Sequence, residues 1–402
     1  MKDRVYYISS LAGEYGFYGL LFFLPISTSL VELLTGLILV SFIVRNVIKP
    51  DIRYLGSLPN FCLYGFLLFS ALSMFNSGVY LDKSLHAYFT KWLQYIAICI
   101  AVQDIARDRR MLKRGISIFL FGASLVVLSG LSQYFYGVEF LRNRGIFFTY
   151  RGLKAATSSF FGNNAFGAYL VVVLSLAISQ LITPGIRRLK SYSLLILALT
   201  TVMALFFTFS RGSWVAFSAC LALVTVLSGN RFIRLIPVMY EIICLLPYRM
   251  FRERFLFIFR FGGDGERFLY WATALRMIND HPYFGIGVGT FMANYYNYKS
   301  STFISYAHNC YLQIWAETGI FSLISFLAFL CALIYFGFKK YFHSSDFLLL
   351  GLLIGIVGFA IHMVFEVHLY SVQLAVLFWV WAGMIAGRLR DAGEVVAVGV
   401  GR

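Results

Sequence analysis

The chain has 402 residues, 60% of them hydrophobic and only 13% charged, with a mean hydropathy of +0.77. A soluble domain averages about 45–50% apolar and about 25% charged residues, so the composition excludes a soluble globular protein and points to lipid as the solvent. In a soluble chain the net charge of +16 would suggest a nucleic-acid binder; in a membrane protein it reflects Lys and Arg collected in cytoplasmic loops, and no nucleic-acid partner is expected.

A spanning helix needs about 20 mostly apolar residues. In chain order the segments that qualify are Val5–Leu24, Thr28–Val47, Phe61–Ser77, Tyr88–Ala106, Ile116–Tyr136 and Gly162–Leu181. Tyr192–Phe209, Trp214–Ser228, Ile233–Pro247, Asn309–Phe338, Phe347–Val367 and Tyr370–Gly387 follow. Ile233–Pro247 is the weakest, being short and carrying Glu241. The expected fold is an all-α polytopic membrane protein of about twelve spans. Residues 1–402 form one integral membrane domain, and residues 248–308 form a large outer loop within it. The first apolar stretch lacks an obvious small-residue cleavage site and is expected to remain as a helix.

With the N-terminus inside, every second connection carries bases: Lys2 and Arg4; Arg45, Lys49 and Arg53; Arg107 to Arg114; Arg187, Arg188 and Lys190; Arg231 and Arg234; Lys339 and Lys340; Arg388 and Arg390. This alternation puts both termini on the cytoplasmic side. It leaves bases on the outer side that the rule does not explain: Arg142, Arg144, Arg151, Lys154, Arg211, Arg249, Arg252, Arg254, Arg260, Arg267 and Arg276. A cationic outer face suits an anionic substrate. The alternative is headgroup contact, or pairing with Glu253, Asp264 and Glu266.

Several constellations on that side bear on chemistry. Arg211, in Ser210-Arg211-Gly212, sits between two apolar runs, and its planar guanidinium fits phosphate oxygens; snorkelling to headgroups is the other reading. Phe268, Trp271, Leu275 and Ile278 share a helical stripe, so the long loop holds an amphipathic helix that lies on the membrane or the bundle, with Arg267 near its start and an end before His281-Pro282. Gly285, Gly287 and Gly289 lack the βαβ context of a nucleotide loop and read as a turn. His308 opens a long apolar helix, where the positive end of the dipole favours the neutral imidazole able to accept a proton. His362 and His368 flank Glu366 near an outer helix end, at spacing too weak to bet on a metal site. The six cysteines form no CxxC pair and read as small buried hydrophobes.

Taken together, Ser210-Arg211-Gly212, the stretch from Arg267 through His281-Pro282-Tyr283-Phe284-Gly285-Ile286-Gly287, His308-Asn309-Cys310-Tyr311-Leu312 and Glu317-Thr318-Gly319 resemble the O-antigen ligase family of membrane glycosyltransferases, which shares its core with O-antigen polymerases. Phe161-Gly162-Asn163-Asn164 is similar as well, and the resemblance covers about residues 155–325. It implies a GT-C-like helical fold with a periplasmic loop closing over the site. The donor would be an undecaprenyl-diphosphate-linked glycan and the acceptor lipid A–core or another glycan, with membrane lipids around and no metal or other cofactor. The location would be a bacterial inner membrane. Arg211 and Arg267 would bind the diphosphate and His308 would be the base. Asn163, Asn164, Arg142, Arg144, Arg151 and Arg249 form a second tier that contacts glycan or phosphate, or serves as turn and interface residues. A polymerase of the same superfamily is the nearest alternative. A lipid-linked glycan transporter is a more distant one, because the polar groups gather at the outer face rather than at the midplane.

Overall fold

A computed structural model describes residues 1–51, 56–148, 152, 154–228, 265–299 and 305–390. Helices α1 (Lys2–Phe23), α2 (Thr28–Ile48) and α3 (Leu58–Ser73) open the chain. Helix α4 (Leu81–Ala87) runs through a π-helical turn, Tyr88–Leu93, into α5 (Gln94–Ala106), and α6 (Arg109–Tyr136) follows. A two-stranded antiparallel hairpin, β1 (Phe147–Phe148) and β2 (Lys154–Ala155), precedes α7 (Asn163–Leu181), α8 (Arg188–Phe207) and α9 (Arg211–Ser228). Then come α10 (Gly265–Asp280), α11 (Phe291–Tyr298), α12 (Cys310–Ser344), α13 (Phe347–His362) and α14 (Val372–Leu389).

Seven described helical segments are long and apolar enough to cross a membrane: Thr28–Ile48, Leu58–Asn76, Arg109–Tyr136, Asn163–Leu181, Arg188–Phe207, Cys310–Ser344 and Val372–Leu389. Arg211–Leu227 and Phe347–His362 are apolar but shorter. Together they make an all-α, polytopic membrane architecture. The segment 233–247, Arg151 and Arg249 lie outside the described residues.

Helix ends show why the chain breaks where it does. Asp108 caps α6 by accepting from the N–H groups of Arg110 and Met111, and Gly137 ends it with φ 78°. Such a left-handed residue is readily supplied by glycine. Asp346 caps α13. Asp346 also pairs with Arg388 at 3.1 Å and Arg109 at 3.4 Å, while Arg45 pairs with Asp104 and Arg107 with Asp51. These residues sit at the ends of α2, α5 and α14 and the starts of α6 and α13, so those termini share one end of the bundle, as the charge alternation requires. At the opposite end Ser159 donates to the Pro25 carbonyl, and Gln373 donates to that of Leu24 at 3.2 Å.

Helix α12 is broken on its outer side. Gly319, with φ 83°, leaves the helical conformation inside the 35-residue run. A helix interrupted at membrane depth strands backbone groups that need partners. The segment after α10 supplies them: Ile286 and Gly287 donate N–H to the carbonyls of Ala316 and Glu317, and Ile320 N–H donates to the Pro282 carbonyl, all at 3.0 Å. Glu317, buried, accepts from the N–H groups of Gly289 at 2.8 Å and Phe291 at 3.2 Å, from Gln313 at 3.0 Å and from the Tyr370 hydroxyl at 2.9 Å. A Cβ on Gly285 would lie 2.3 Å from the Glu317 carbonyl carbon, so the approach requires glycine there. The three glycines form a turn, as read from the sequence, with φ values of 66°, 107° and 72°.

Helix α10 ends at Asp280, just before His281-Pro282. Its buried face differs from the expected stripe. Tyr270, Ala274, Met277 and Ile278 pack with Phe291, Tyr295, Ala307 and Ala316, whereas Phe268 and Leu275 are exposed. The helix has two apolar sides, and docking onto the broken end of α12 selects the one with the smaller residues. Removing the Glu317 carboxylate strands four donors, two of them in fully buried bonds that cost about 1–3 kcal/mol each. Glu317→Ala is therefore expected to lower the thermal unfolding midpoint of the purified protein by several degrees, while Ser325→Ala on the exposed side of α12 leaves it unchanged.

Candidate active site

Helix α12 begins at Cys310, with the Asn309 side chain accepting from the N–H groups of Tyr311 at 3.0 Å and Leu312 at 3.1 Å. His308 stands immediately before this cap with φ 46°, and Phe209, two residues before Arg211, has φ 52°. Left-handed backbone at a non-glycine residue is strained and persists where the surroundings hold it. Helix α13 ends at His362, and the Met363 carbonyl accepts the N–H of Cys310, so the α13–α14 connection is pinned to the start of α12.

That pinning brings Glu366 to His308: the Nδ1 to Oε1 distance is 2.7 Å. The other carboxylate oxygen accepts from the Asn164 amide at 2.9 Å. The Asn164 oxygen accepts from the Ser210 hydroxyl at 2.8 Å, and Ser213 donates to Ser210 at 2.8 Å. Because the Ser213 proton is used, the His362 Nε2 that lies 2.7 Å away must donate to it. His362 Nδ1 is then left to accept from His368 Nε2. The chain of bonds has one polarity from His368 to Glu366, and His308 meets the same carboxylate from the other side. His362 and His368 are thus hydrogen-bonding partners of each other.

Burial by itself would raise the Glu366 carboxyl. The hydrogen bond from His308, the charge of Arg267 and those of His308 and His368 when protonated outweigh it and hold Glu366 well below the usual carboxylate range. An ionised Glu366 accepts the Nδ1 proton and leaves His308 Nε2 as the acceptor of the neutral ring. Nε2 lies 2.9 Å from the Ser305 hydroxyl. The imidazole is 28% exposed and the carboxylate 16%, so the ring can be reached while its partner is screened.

Arg267 acts on the same carboxylate through its charge, and the turn that carries Arg211 packs against the residue before Glu366. On α10, Tyr270 packs against His308 with ring centroids 5.6 Å apart. Arg267 is three residues earlier on the same helical face, and its charge acts on both Glu366 and His362. Arg211 follows Ser210, and the next residue, Gly212, packs so tightly on Phe365 that a Cβ there would lie 3.0 Å from the Phe365 Cβ. Asn163 donates to the Thr208 carbonyl at 2.8 Å and braces the turn that carries Arg211. Arg142 and Arg144 stand apart from these bonds, in the α6–α7 connection, donating to the carbonyls of Ser159 and Phe160.

Sequence reading did not single out Glu366, Ser210, Ser213, His362 or His368 as a connected unit. The available signal was one acid between two histidines in an otherwise apolar run. Pairing them with Asn164 and Ser210 requires contacts across 202 and 46 residues.

Burial holds the His368 imidazole down, from 6.5 to about 4, although the Glu366 charge acts in the other direction. An unfolded chain takes up that proton near pH 6.5 and the folded one only near pH 4, so this contribution to stability is complete above pH 6.5 and is lost as pH falls toward 4. The loss is on the order of a few kcal/mol. Unfolding midpoints recorded from pH 7 to 4 are expected to fall steadily for the native protein and with a shallower slope for His368→Gln.

A search of curated proteins finds no match. The family model described as O-antigen ligase matches residues 194–327, which is 134 of the 402 residues. That stretch contains Arg211, Arg267 and His308, so over these residues the chain is similar to the O-antigen ligase family.

Proposed function

We propose that the chain is a ligase-type membrane glycosyltransferase that moves a glycan from undecaprenyl diphosphate to a sugar hydroxyl, with lipid A–core oligosaccharide as acceptor, at the periplasmic face of a bacterial inner membrane. The observation that carries this reading is the His308 ring, held by Glu366 at Nδ1 and packed on Tyr270 of the helix that bears Arg267, with the turn before Arg211 tied to the same carboxylate through Asn164 and Ser210. Asn163 and Asn164 set that turn and the carboxylate rather than contacting glycan directly. The positive-inside pattern supports periplasmic placement and cytoplasmic termini.

In the proposed step His308 Nε2 takes the proton of the acceptor hydroxyl as its oxygen attacks the anomeric carbon. The Ser305 hydroxyl marks where an acceptor hydroxyl would approach. The bond from the anomeric carbon to the diphosphate oxygen breaks, and its electron pair leaves on undecaprenyl diphosphate. Arg211 and Arg267 stabilise that anion, so a general acid is not needed at the leaving group and the residues perform the step without a metal. Glu366 stabilises the imidazolium that forms, as a carboxylate behind a histidine base does in other hydrolases and transferases.

Loss of one charge-stabilising donor costs roughly 10²–10³ in rate, and loss of a general base roughly 10²–10⁴. In reconstituted protein with a lipid-linked glycan donor, Arg211→Ala, Arg267→Ala and His308→Ala are each expected to cut transfer by at least about 10²-fold, and Glu366→Gln by a similar factor. Near-normal transfer by all of the folded variants would overturn the assignment. Offering lipid A–core and a second lipid-linked repeat as competing acceptors decides the acceptor: product on the second repeat alone makes the protein a polymerase, and movement of donor between leaflets without covalent change makes it a transporter.

A further inference from the structure

The connection between α6 and α7 carries a second cationic feature. Glu139 is its only described acid, and it is buried. It accepts from the Ser129 hydroxyl at 2.7 Å and from the backbone N–H groups of Leu141 at 2.9 Å, Arg142 at 2.8 Å and Arg144 at 3.1 Å. Burial would raise this carboxyl, but those hydrogen bonds bring it below its ordinary value. Its charge is therefore spent on the loop's own backbone.

The Arg142 and Arg144 guanidiniums turn the other way. They lie 5.9 and 4.1 Å from the centroid of one ring, that of Phe161. Arg144 donates to the Phe160 carbonyl at 2.7 Å, and Arg142 to that of Ser159 at 3.4 Å. These bonds fix each fork and leave further N–H donors on each guanidinium. Burial and the charge of Arg142 push the Arg144 guanidinium below its ordinary value, although the Glu139 charge acts in the other direction. Among the described residues no carboxylate lies within ion-pair distance of either one. Two cations brought to one ring repel each other, the Glu139 charge offsets this only in part, and an anion between them removes the remaining cost.

The surroundings say which anion. Phe161 is 74% exposed, and Tyr136, Val138, Phe140, Ile146 and Phe148 of the same connection are also exposed. Exposed aromatic and aliphatic side chains beside arginines, at the end of spanning helices, fit the headgroup level of a bilayer better than bulk water. Guanidinium forks match phosphate oxygens, and the ring beneath them holds the cations in place.

We propose that Arg142, Arg144 and Phe161 form a binding site for the phosphate of an anionic membrane lipid, separate from the Glu366-centred site. The lipid's phosphate sits between the two guanidiniums and its acyl chains run along the exposed apolar residues of the same connection. Phe161 is two residues before Asn163, so a bound lipid would stand at the shoulder of the active site without entering it.

The test is native mass spectrometry of the delipidated full-length protein in detergent, titrated with dioleoylphosphatidylglycerol, dioleoylphosphatidylcholine or inorganic phosphate. Phosphatidylglycerol is expected to bind first and in preference to phosphatidylcholine, and inorganic phosphate is expected not to displace it. The double variant Arg142→Gln/Arg144→Gln is expected to lose affinity for phosphatidylglycerol about tenfold or more, at roughly fivefold per base near an anionic lipid. Phe161→Ala keeps both guanidiniums and their carbonyl bonds, so it serves if the double variant fails to fold; it is expected to weaken the preference about threefold. Arg110→Gln, at the other end of α6, is expected to bind as the native protein does. An undiminished preference in both site variants, or no preference in the native protein, overturns the proposal; displacement by inorganic phosphate overturns its assignment to a lipid. Arg211→Ala is expected to keep the lipid preference, so this site and the transferase reading fail independently.

Discussion

The break in α12 at Gly319 is the constraint on which the rest depends. A helix that stops hydrogen-bonding to itself inside a membrane protein must hand its carbonyls and N–H groups to another part of the chain. Here they go to residues 282–287, and Glu317 adds a buried carboxylate that accepts from Gly289 and Phe291. The exchange fixes α10 against the short outer half of α12. Without it Arg267 and His308 would belong to independent segments.

On that frame a second carboxylate gathers the polar groups. Glu366 receives His308 on one oxygen and Asn164 on the other, and the charge of Arg267 falls on it. Through Asn164, Ser210 and Ser213 it is tied to the turn that precedes Arg211 and to two buried histidines. Starts of α7, α9 and α12 and the end of α13 all contribute. Four helix termini meeting at one end of a bundle concentrate backbone polarity where side-chain polarity is also needed, and the apolar helix bodies keep both out of the hydrocarbon.

The two carboxylates divide the work physically. Glu317 is closed in by four donors and holds backbone in place. Glu366 keeps partial access and holds an imidazole whose other nitrogen meets the Ser305 hydroxyl. Glu139 repeats the first role in the α6–α7 connection, folding a loop around itself and so bringing Arg142 and Arg144 to the Phe161 ring.

Much of this protein was legible in its sequence. Apolar runs of spanning length and the alternation of basic loops are local properties, because lipid demands them of each segment separately; they gave the helical class, most segment positions and the end of α10 before His281-Pro282. Arg211 stood out because charge beside hydrocarbon is costly, and Arg267 and His308 because each stands near the start of a helix. What only the tertiary structure decided was partnership. Hydropathy does not say which apolar side of α10 is buried, and the face bearing Tyr270 won because the broken end of α12 offers it backbone partners and a close approach at Gly285. Nor does it pair Glu366 with His308 across 58 residues, or Asn164 with Ser210 across 46, since a hydrogen bond between distant segments depends on how whole helices pack and leaves no periodic trace in either one.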